Sequence, residues 1–584
     1  MKNYCLVTTA DEATWPNNKP VVFIGEWCKR HSRMNSWASL DSITVPYHWD
    51  NREQLKKDYI YLENIYEDLL AELKDQLNSI HQTSHSLRYW RILIGPWLGI
   101  FVQIIFDRWK MLKLSLDEYE VDSCNVHPED VENFIPQDTH SFINFVVSDS
   151  WNEMIYSHLL RLIPNKLDVN ELTPMHKQTN LKRSFKSQFK KSLKTGSNYL
   201  GMPANYFDNI FIYKSGFPVL KDIQLQLKFK QFPQNWASFS TPEVLLNLEM
   251  REWDFKSKIN NCDFSSIVCK LIPKCIPRTY LEGYNLLVKN QKKLPWPKTP
   301  KVIFTSEAYF TDDVFKAWAA SKVCLGSSLV IGQHGGNFGM TPMSFLEEHQ
   351  IKISDKFLSW GWTDNSEDKI IPVGNLKSQK NTKNFDPKGH ALFVEYALPR
   401  FSYQIYSVPI ASQWLDYFKE QSHFVGSLPS TIQNNLIIRL KADFGWDQKN
   451  RWDDLFPNII IDSGEKSMKE MAVKSRIFIS TYNATTYLES LAWNIPTIIF
   501  WKPEHWELND NASKYFDILE SVGIFHKTPE SAAQKLTEVW DNIELWWEKN
   551  ETQIARKSFV RQYSLISESS SYKMQKVLNN LIKK

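Results

Sequence analysis

Residues 476–501 read RIFISTYNATTYLESLAWNIPTIIFW, and this stretch decides the fold class. It opens with a short apolar run at 476–480 and ends with another at 496–501. Between them lie a polar loop and a segment, 487–492, with the composition of a helix. Strand, helix and strand in this order are typical of two parallel strands joined by a crossover helix. The pattern therefore predicts an α/β protein with a parallel sheet.

The same rhythm runs through the second half of the chain. Six further apolar runs of strand length are 301–305 (KVIFT), 328–333 (SLVIGQ), 356–360 (KFLSW), 391–395 (ALFVE), 435–440 (NLIIRL) and 458–462 (NIIID). The polar stretch 377–388 (KSQKNTKNFDPK) interrupts them and has the composition of a linker. We therefore predict an N-terminal α/β domain over 1–376, a linker over 377–388 and a C-terminal α/β domain over 389–584.

The N-terminal part is more helical. Apolar residues at helical spacing predict one helix over 51–79 and a second helical region over 86–109, broken near Gly95-Pro96. The apolar run 92–106 is shorter than the roughly 20 residues that span a bilayer, so we predict a buried segment rather than a membrane span. The N-terminus shows no signal-peptide pattern, which leads us to expect a cytoplasmic protein. Two short predicted strands precede these helices, at 5–9 and 21–25.

The composition narrows the classes of function. Lysine and arginine number 69 against 66 acidic residues, and this net charge of +3 gives no general reason to expect nucleic-acid binding. Hydrophobic residues at 42% and charged residues at 23% exclude disorder across the whole chain. The 7 cysteines form no Cys-x-x-Cys pair, which argues against a disulfide framework or a zinc site. Glycine is scarce, with 19 in 584 residues, so a cluster of glycines marks a constrained backbone.

Such a cluster follows the apolar run 328–333, where the chain reads Gln333-His334-Gly335-Gly336-Asn337-Phe338-Gly339. In open α/β sheets, ligands bind beyond the carboxyl ends of the strands, and glycine lets backbone N–H groups turn toward an anion. We predict that Gly335, Gly336 and Asn337 bind such a ligand. His334 would donate to a phosphate or carry a proton. A tight structural turn with a capping histidine is the alternative.

The polar loop in the opening stretch is the second candidate. Ser480, Thr481, Asn483, Thr485 and Thr486 stand in front of a helix. Hydroxyl groups cap helix N-termini, and the free N–H groups and the dipole at a helix start attract phosphate. Glu489, about one turn into that helix, is placed to accept hydrogen bonds from ribose hydroxyls. A plain capped helix is the alternative.

Charged side chains near other strand ends complete the candidates. Arg439 and Lys441 surround the end of the run 435–440 and suit a diphosphate or a sugar carboxylate, with plain surface charge as the alternative. A carboxylate at a strand end can act as nucleophile or general base. Four carboxylates follow predicted strands, and they are Glu307, Asp312, Asp11 and Glu26. For the N-terminal pair a structural or solubilising role is the alternative.

One stretch of the chain is strongly basic. Residues 177–194 carry seven lysines and arginines and no acidic residue. One interpretation is a solvated helix or an insertion. The other is contact with anionic lipid headgroups or with a phosphorylated acceptor.

Several common catalytic motifs are missing from the sequence. It has no G-x-x-x-x-G-K-[ST] phosphate loop, no G-x-G-x-x-G after a strand, no H-E-x-x-H and no G-x-S-x-G. No D-x-D motif stands in a context that would suggest a metal-bridged diphosphate. We therefore expect no metal site.

In their order along the chain, these pieces resemble the GT-B glycosyltransferases, in which two Rossmann-like domains face a central cleft. The narrower likeness is to bacterial surface-polysaccharide transferases of capsule and O-antigen synthesis that use CMP-activated Kdo, pseudaminic acid or sialic acid. The matching pieces are Gln333-His334-Gly335-Gly336, 357–362 (FLSWGW), 371–375 (IPVGN), 438–441 (IRLK) and 480–497. Residues 6–11 and 88–97 resemble a group of uncharacterised surface-polysaccharide transferases.

The resemblance implies an enzyme that moves a nonulosonic acid, of the pseudaminic acid or Kdo type, from a CMP donor to a glycan acceptor. The donor would need neither a metal nor another cofactor, because side chains and helix N-termini neutralise its single phosphate. The residues implied in donor binding are Gly335, Gly336, Asn337, Arg439, Lys441, Ser480, Thr481, Asn483, Thr485, Thr486 and Glu489. Glu307 is the first candidate for the catalytic carboxylate, ahead of Asp11, Glu26 and Asp312, and His334 would assist the leaving phosphate. The acceptor would be an oligosaccharide or a lipid-linked glycan at the inner face of the bacterial inner membrane.

Two other functions stay open at this point. One is a phosphotransferase of the teichoic-acid type, which moves a polyol phosphate from a CDP donor. The other is an inactive scaffold of polysaccharide assembly. It stays open because Lys441-Ala442-Asp443 stands where many relatives carry a His-Pro pair. Whether the transfer retains or inverts the anomeric configuration is likewise open.

Overall fold

The computed structural model describes residues 3–173, 198, 205, 208–255, 263–377, 385–462 and 464–583. The basic stretch 177–194 lies outside the described residues, as does most of the predicted linker 377–388. The described chain forms three β-sheets flanked by helices, and all strand pairs within these sheets are parallel. The predicted α/β class is therefore confirmed.

The first sheet has the strand order β3-β2-β1-β4-β5. Its strands are β1 (Tyr4–Val7), β2 (Val21–Phe23), β3 (Ser42–Thr44), β4 (Val121–Val126) and β5 (Asp168–Glu171). Its α-helices are α1 (Met34–Trp37), α2 (Arg52–His81), α3 (Leu87–Glu118), α4 (Val131–Phe134), α5 (Thr139–Phe145) and α6 (Asp149–Leu162). Only β1 and β2 are among the predicted strands, because β3 (SIT), β4 (VDSCNV) and β5 (DVNE) contain no apolar run.

The second sheet has the order β10-β9-β8-β7-β6. Its strands are β6 (Ile210–Ile212), β7 (Val302–Thr305), β8 (Ser328–Gly332), β9 (Lys356–Ser359) and β10 (Ile370–Pro372). Its α-helices are α7 (Val219–Lys228), α8 (Asp263–Cys275), α9 (Tyr284–Gln291), α10 (Ala308–Thr311), α11 (Asp313–Cys324) and α12 (Phe345–Ile353). The predicted strands over 301–305, 328–333 and 356–360 are β7, β8 and β9.

The third sheet has the order β13-β12-β11-β14-β15-β16. Its strands are β11 (His390–Val394), β12 (Leu436–Arg439), β13 (Ile460–Asp462), β14 (Ser475–Ser480), β15 (Thr497–Phe500) and β16 (Phe525–His526). Its first α-helices are α13 (Trp414–Gly426), α14 (Ser430–Gln433), α15 (Gln448–Leu455), α16 (Met468–Ala472) and α17 (Thr485–Ala492). They are followed by α18 (Asp510–Ser521), α19 (Pro529–Val539), α20 (Ile543–Trp547), α21 (Asn550–Tyr563) and α22 (Ser570–Lys583). The β14–α17–β15 unit is the predicted strand–helix–strand of residues 476–501.

Helix α3 corrects the predicted break near Gly95-Pro96, because it continues through both residues. Gly95 and Gly99 face α12, where a Cβ on Gly99 would overlap the ring of Phe345 and one on Gly95 would lie 2.8 Å from His349. Close packing of two helices thus holds a segment whose proline favours a break. By length and composition α3 could cross a membrane, but 94% of its apolar window is buried inside the protein. The prediction of a buried segment is therefore confirmed.

The last helix, α22, packs on the second sheet rather than on the third. Met574 and Leu578 are buried in one cluster with Val302, Val330 and Leu358. The end of the chain therefore returns from the third sheet to the second sheet. The predicted domain 389–584 did not include this return. The boundaries 1–376 and 389–584 otherwise stay a prediction.

The carboxyl ends of strands from all three sheets face one another. Gly336, beyond β8 of the second sheet, donates its N–H to Thr485 Oγ1, beyond β14 of the third sheet, at 2.8 Å. The N–H of Ser32, in the loops beyond β2 of the first sheet, donates to Asp447 of the third-sheet half at 2.9 Å. The first and the second sheet thus both meet the third-sheet half beyond their strand ends.

Candidate functional site

The glycine turn after β8 and the start of α17 form the centre of the candidate site. The N–H of Gly336 donates to Thr485 Oγ1, and a Cβ on Gly335 would lie 2.6 Å from the same oxygen. Gly336 and Gly339 have φ values of +79° and +72°, a backbone conformation that favours glycine. The close neighbours of these glycines are Thr485 and, beside Gly339, the ring of Trp362, so protein contacts account for the tight turn. Asn337, which lies between Gly336 and Gly339, is partly exposed. Ligand binding by Gly335, Gly336 and Asn337 stays a prediction.

His334 sits enclosed at the beginning of this turn. Its ring centroid lies 6.3 Å from that of Tyr309 and 5.6 Å from that of Phe338. Burial, with a smaller contribution from Lys377, lowers the pKa of His334 to about 4. Its Nδ1 is buried and has no hydrogen-bond partner among the described residues. At neutral pH this imidazole is therefore uncharged, and it can donate one hydrogen bond and accept another.

Several hydroxyls of the 480–486 loop have partners inside the third-sheet half. Thr481 Oγ1 donates to the carbonyl of Val394 at 3.0 Å and lies 2.6 Å from Tyr417 Oη. Ser480 Oγ donates to the carbonyl of Tyr482, and Thr486 Oγ1 donates to Tyr482 Oη. These three side chains shape the loop. The hydroxyl of Thr485 instead contacts the turn of the second sheet.

Asn483 and Glu489 are the other polar groups of this loop and helix. Asn483 Oδ1 accepts from Tyr487 Oη at 2.8 Å, whereas its buried Nδ2 has no partner in the described part of the chain. Burial raises the pKa of Glu489, and the cations Lys377 and Lys469 oppose the rise. Lys377 also donates to the carbonyl of His334 at 3.4 Å. The site thus combines an unpaired amide, a half-buried carboxyl and a lysine from the predicted linker.

The two cations near the end of β12 differ in whether they are already paired with a carboxylate. Arg439 forms an ion pair with Asp462 and donates to the carbonyl of Lys466 at 2.9 Å, so its guanidinium stabilises the neighbouring strand. Lys441 is exposed, and its Nζ lies 5.8 Å from the ring centroid of Tyr396. Of the two predicted donor-binding cations, Lys441 is the one that can reach a ligand without breaking an ion pair.

The predicted carboxylates of the second sheet have different environments. Glu307 is exposed at the carboxyl end of β7, and β7 pairs with β8 so that Thr305 lies opposite Ile331. Glu307 and His334 therefore follow neighbouring strands at the same edge. Asp312 is buried, accepts from Lys214 Nζ at 2.6 Å and from Tyr213 Oη at 2.9 Å, and caps α11. Its contacts are those of a structural residue.

Asp11 and Glu26 lie at the carboxyl edge of the first sheet instead. Asp11 Oδ2 lies 2.9 Å from His127 Nε2, and Asp11 Oδ1 accepts the N–H of Ala13 at 3.2 Å. Glu26 pairs with Lys29 at 3.1 Å. The structure thus places Asp11 and Glu26 at a different sheet edge from Glu307 and His334. His127 escaped the sequence analysis because it is 116 residues from its partner, and no local pattern connects the two.

A buried carboxyl after β11 also escaped the sequence analysis. Glu395 accepts from Gln448 Nε2 at 3.1 Å and from Trp452 Nε1 at 2.8 Å. Burial raises its pKa to about 7. The rule that points to residues at strand ends would have selected it, since it closes the predicted strand ALFVE. Its contacts hold α15 against the sheet.

Comparison with known proteins gives the family. The model of the LIC12162 family transferases matches residues 4–578. The chain belongs to this family. The match includes all three sheets and every residue of the site, so the protein is a transferase by family membership. None of the curated proteins compared with the chain is similar to it.

Solved structures resemble this LIC12162 family member only distantly. A putative UDP-N-acetylglucosamine 2-epimerase from Listeria monocytogenes is 9% identical over 64% of this chain and 95% of its own, with a TM-score of 0.36. HepE of Anabaena, solved with UDP-glucose, is 10% identical over 64% and 99%, with a TM-score of 0.33. WaaG, a glycosyltransferase involved in lipopolysaccharide biosynthesis, is 10% identical over 64% and 99%, with a TM-score of 0.28. Likeness at this level carries no argument about activity, and the fold rests on the parallel sheets themselves.

Within the described ranges, no group of three or more histidine, cysteine, aspartate or glutamate side chains is placed to hold a metal ion.

Proposed function

We propose that this transferase is a glycosyltransferase that binds a CMP-activated nonulosonic acid between the glycine turn 334–339 and the start of α17. The observation that carries the proposal is the contact of Gly336 with Thr485, which sets a backbone turn against a helix N-terminus. Both are features that bind phosphate groups. His334 Nδ1 and Asn483 Nδ2 are buried polar atoms without partners in the described chain, and such atoms call for an explanation such as a ligand.

The single phosphate of a CMP-linked sugar fits this place. The N–H groups at the start of α17 and its dipole stabilise a negative charge. Lys377 and Lys441 add positive charge without being neutralised by an ion pair in the described chain, since Lys377 contacts only a carbonyl and Lys441 lies over Tyr396. An uncharged His334 can donate a hydrogen bond to the leaving phosphate oxygen.

Glu307 is the proposed catalytic carboxylate. It is exposed, it carries no ion pair in the described chain, and it follows the strand next to that of His334. In a direct displacement, the acceptor hydroxyl oxygen attacks the anomeric carbon, Glu307 takes the hydroxyl proton, and the bond to the phosphate oxygen breaks to release CMP. If Glu307 is instead the nucleophile, a glycosyl-enzyme forms first and the configuration is retained. The stereochemistry of the product distinguishes the two.

The acceptor in this proposal is a glycan of capsule or O-antigen synthesis, either an oligosaccharide or a lipid-linked chain. A lipid-linked acceptor would place the protein at the inner face of the inner membrane. The basic stretch 177–194, which lies outside the described residues, would supply the contact with anionic headgroups.

A thermal-shift series with CMP, CDP, UDP and GDP tests the donor class. We expect stabilisation by CMP and none by UDP or GDP. Turnover of CMP-Kdo or CMP-pseudaminic acid, with release of CMP, then tests the reaction.

Binding and turnover of CDP-glycerol alone would identify the teichoic-acid type of phosphotransferase, and a protein that binds no nucleotide would be a scaffold. A Lys441→Ala variant, which removes an exposed cation of the proposed donor site, should lower the CMP shift while its own Tm stays close to that of the wild type.

A further inference from the structure

A cavity lies beside the glycine turn, where Gly339 forms part of its lining. Its volume is about 440 Å³, within the range of about 300–1,000 Å³ that is usual for small-molecule sites. The second sheet contributes its end of the glycine turn, α12 and the loop after β9, and the third-sheet half contributes α18 and the end of α21. No part of the proposed donor site needs this cavity.

The wall that separates the cavity from the donor site is the glycine turn itself. On one side Gly336 donates to Thr485, and on the other Gly339 donates its N–H to Glu347 Oε1 at 2.8 Å. The carbonyl of Gly339 accepts from Asn509 Nδ2 at 3.1 Å, which fixes the turn to the third-sheet half. Three residues of chain reach at most about 11 Å, so a ligand in the cavity and one in the donor site would be neighbours.

The lining has the chemistry of a carbohydrate site. Amide side chains, aromatic rings and carboxyls face one space, and among them are Asn365, Asn511, Trp362, Tyr515, Glu347 and Glu348. Tyr515 packs edge-to-face against Tyr563 with centroids 5.5 Å apart, which holds its ring in place. Amides and carboxyls hydrogen-bond sugar hydroxyls, and aromatic rings cover the apolar faces of sugar rings.

Glu347 is a buried carboxyl in the lining of the cavity, and its protonation affects the charge of the lining. Its side chain lies in the lining, but the residue is only 9% exposed. Burial, with the charges of Glu348 and Asp364 adding to it, raises the pKa of Glu347 to about 8, against the hydrogen bond from Gly339. A carboxyl with this pKa is mostly protonated at neutral pH and can donate a hydrogen bond to a ligand. The other ionisable groups in the lining are Glu348, Asp364, Lys514, Tyr515 and Tyr563, so the net charge is slightly negative.

We propose that this cavity binds a neutral sugar unit of the acceptor glycan and anchors it while another unit of the same glycan reacts at the donor site. The slightly negative lining disfavours a phosphate or a uronic acid, and the shared glycine turn brings the two sites within the length of a short oligosaccharide. The acceptor identity rests on the proposed glycosyltransferase function. The binding of a neutral sugar does not, since it can be measured without any nucleotide.

The test is saturation-transfer NMR on the full chain with three neutral disaccharides, maltose, lactose and N,N′-diacetylchitobiose, and with glucuronic acid as the anionic probe. We expect at least one disaccharide to bind and glucuronic acid not to. The variant Asn511→Trp fills the cavity from an exposed position of α18 and should abolish binding. Its matched control is Asp517→Trp, at another exposed position of the same helix outside the lining, which should bind like the wild type.

The pH dependence gives a second, independent readout. Wild-type affinity should fall by about tenfold as Glu347 ionises between about pH 7 and pH 9. Glu347→Gln keeps an acceptor for Gly339 and a donor for the ligand, and should bind with no such fall. Absence of binding by all three disaccharides, binding that survives Asn511→Trp, or equal binding of glucuronic acid would overturn the proposal. A CMP thermal shift measured on the same samples reports on the donor site alone, so failure of either proposal is recognised separately.

Discussion

The third sheet meets the rest of the molecule in two places, and the two contacts are built differently. At its contact with the first sheet, charged groups are paired: Arg400 binds Asp149 and the carbonyl of Trp27, and Asp447 binds Ser32 and Arg30. At its contact with the second sheet no ion pair joins the described residues, and the link at the site is the hydrogen bond from the Gly336 N–H to Thr485 Oγ1. Buried polar atoms without a partner in the described chain occur at both contacts, Arg30 Nε and Arg400 Nε at the first and His334 Nδ1 and Asn483 Nδ2 at the second. We call the first contact paired and the second unpaired, with respect to charge. Ion pairs hold two parts of a protein together, whereas a contact without them can still bind the charge of a ligand.

This difference separates the predicted site residues into two groups. Asp11 and Glu26 belong to the paired region, where His127 and Lys29 satisfy them. Gly336, Thr485 and His334 belong to the unpaired contact, which no ion pair crosses in the described chain. We therefore assign the chemistry to the unpaired contact and the holding together of the sheets to the paired one, and the following experiments test that division.

The largest expected effect is on catalysis. His334→Ala should lower kcat by about 10²–10⁴-fold, the usual worth of a group that assists proton transfer at the reacting centre. The control is His127→Ala. His127 is partly exposed, like His334, but its imidazole is paired with Asp11, and its removal should change kcat by no more than about twofold. Initial rates of CMP release measure both. A large loss in His127→Ala together with a small one in His334→Ala would reverse the assignment.

Breaking an ion pair of the paired contact should lower the free energy of unfolding. Arg400→Met leaves Asp149 without its cation and should lower the free energy of unfolding by about 3 kcal/mol, since the Arg400 side chain is 4% exposed. Urea denaturation measures the change. Arg161→Met is the control, because its ion pair with Glu171 is exposed and should contribute less than about 1 kcal/mol. Equal losses in the two variants would show that the contact with the first sheet is no firmer than a surface ion pair.

Glu395, the buried carboxyl after β11, makes the free energy of unfolding depend on pH in a direction that can be predicted. The pKa of Glu395 is raised to about 7 in the folded chain, so the folded state holds a proton that the unfolded state has released. Stability from this group is present below the ordinary carboxyl pKa and is lost as the pH rises toward 7. Glu395→Gln should therefore gain about 1–3 kcal/mol relative to the wild type between about pH 5 and pH 8. Paired urea titrations at both pH values measure it, and a stability difference that does not change with pH would contradict the raised pKa.

The smallest effect tests the hydrogen bond at the centre of the unpaired contact. Thr485→Val keeps the shape but removes the acceptor of the Gly336 N–H, which should weaken nucleotide binding about fivefold, or roughly 1 kcal/mol. Thr486→Val removes a hydroxyl whose hydrogen bond within the described chain is to Tyr482 Oη, and it should leave the affinity unchanged. Isothermal titration compares the two. Equal affinities in both variants would mean that the Gly336–Thr485 contact does not organise the site.

The same regions show which parts of the fold could be predicted from the sequence. Eight strands of the second and third sheets are apolar runs such as VIFT and SRIFIS, which a buried parallel strand requires, and the sequence predicts them. The two or three residues of β6, β10 and β16 are too few to show a pattern. Strands β3 and β5 are short, largely exposed and polar, and no periodicity reveals them. The proline in α3 favours a break locally, but packing of Gly95 and Gly99 against α12 overrides it.

The site was predictable only in part for a related reason. Residues after strands are local features, so the glycine turn and the 480–486 loop could be selected. Which of their groups are paired depends on partners far away in the chain, such as Asp462 for Arg439 or His127 for Asp11. These partners are fixed by tertiary packing, which a single sequence does not reveal.

The most direct test of the central claim is hydrogen exchange with and without a saturating CMP-linked donor. We expect slower exchange of the amides in 334–339 and 483–489, because the donor phosphate is proposed to bind between them. The peptides around Asp11 and His127 should be unchanged. Slower exchange around Asp11 and His127, with none at the glycine turn, would place the donor at the first sheet and contradict the account.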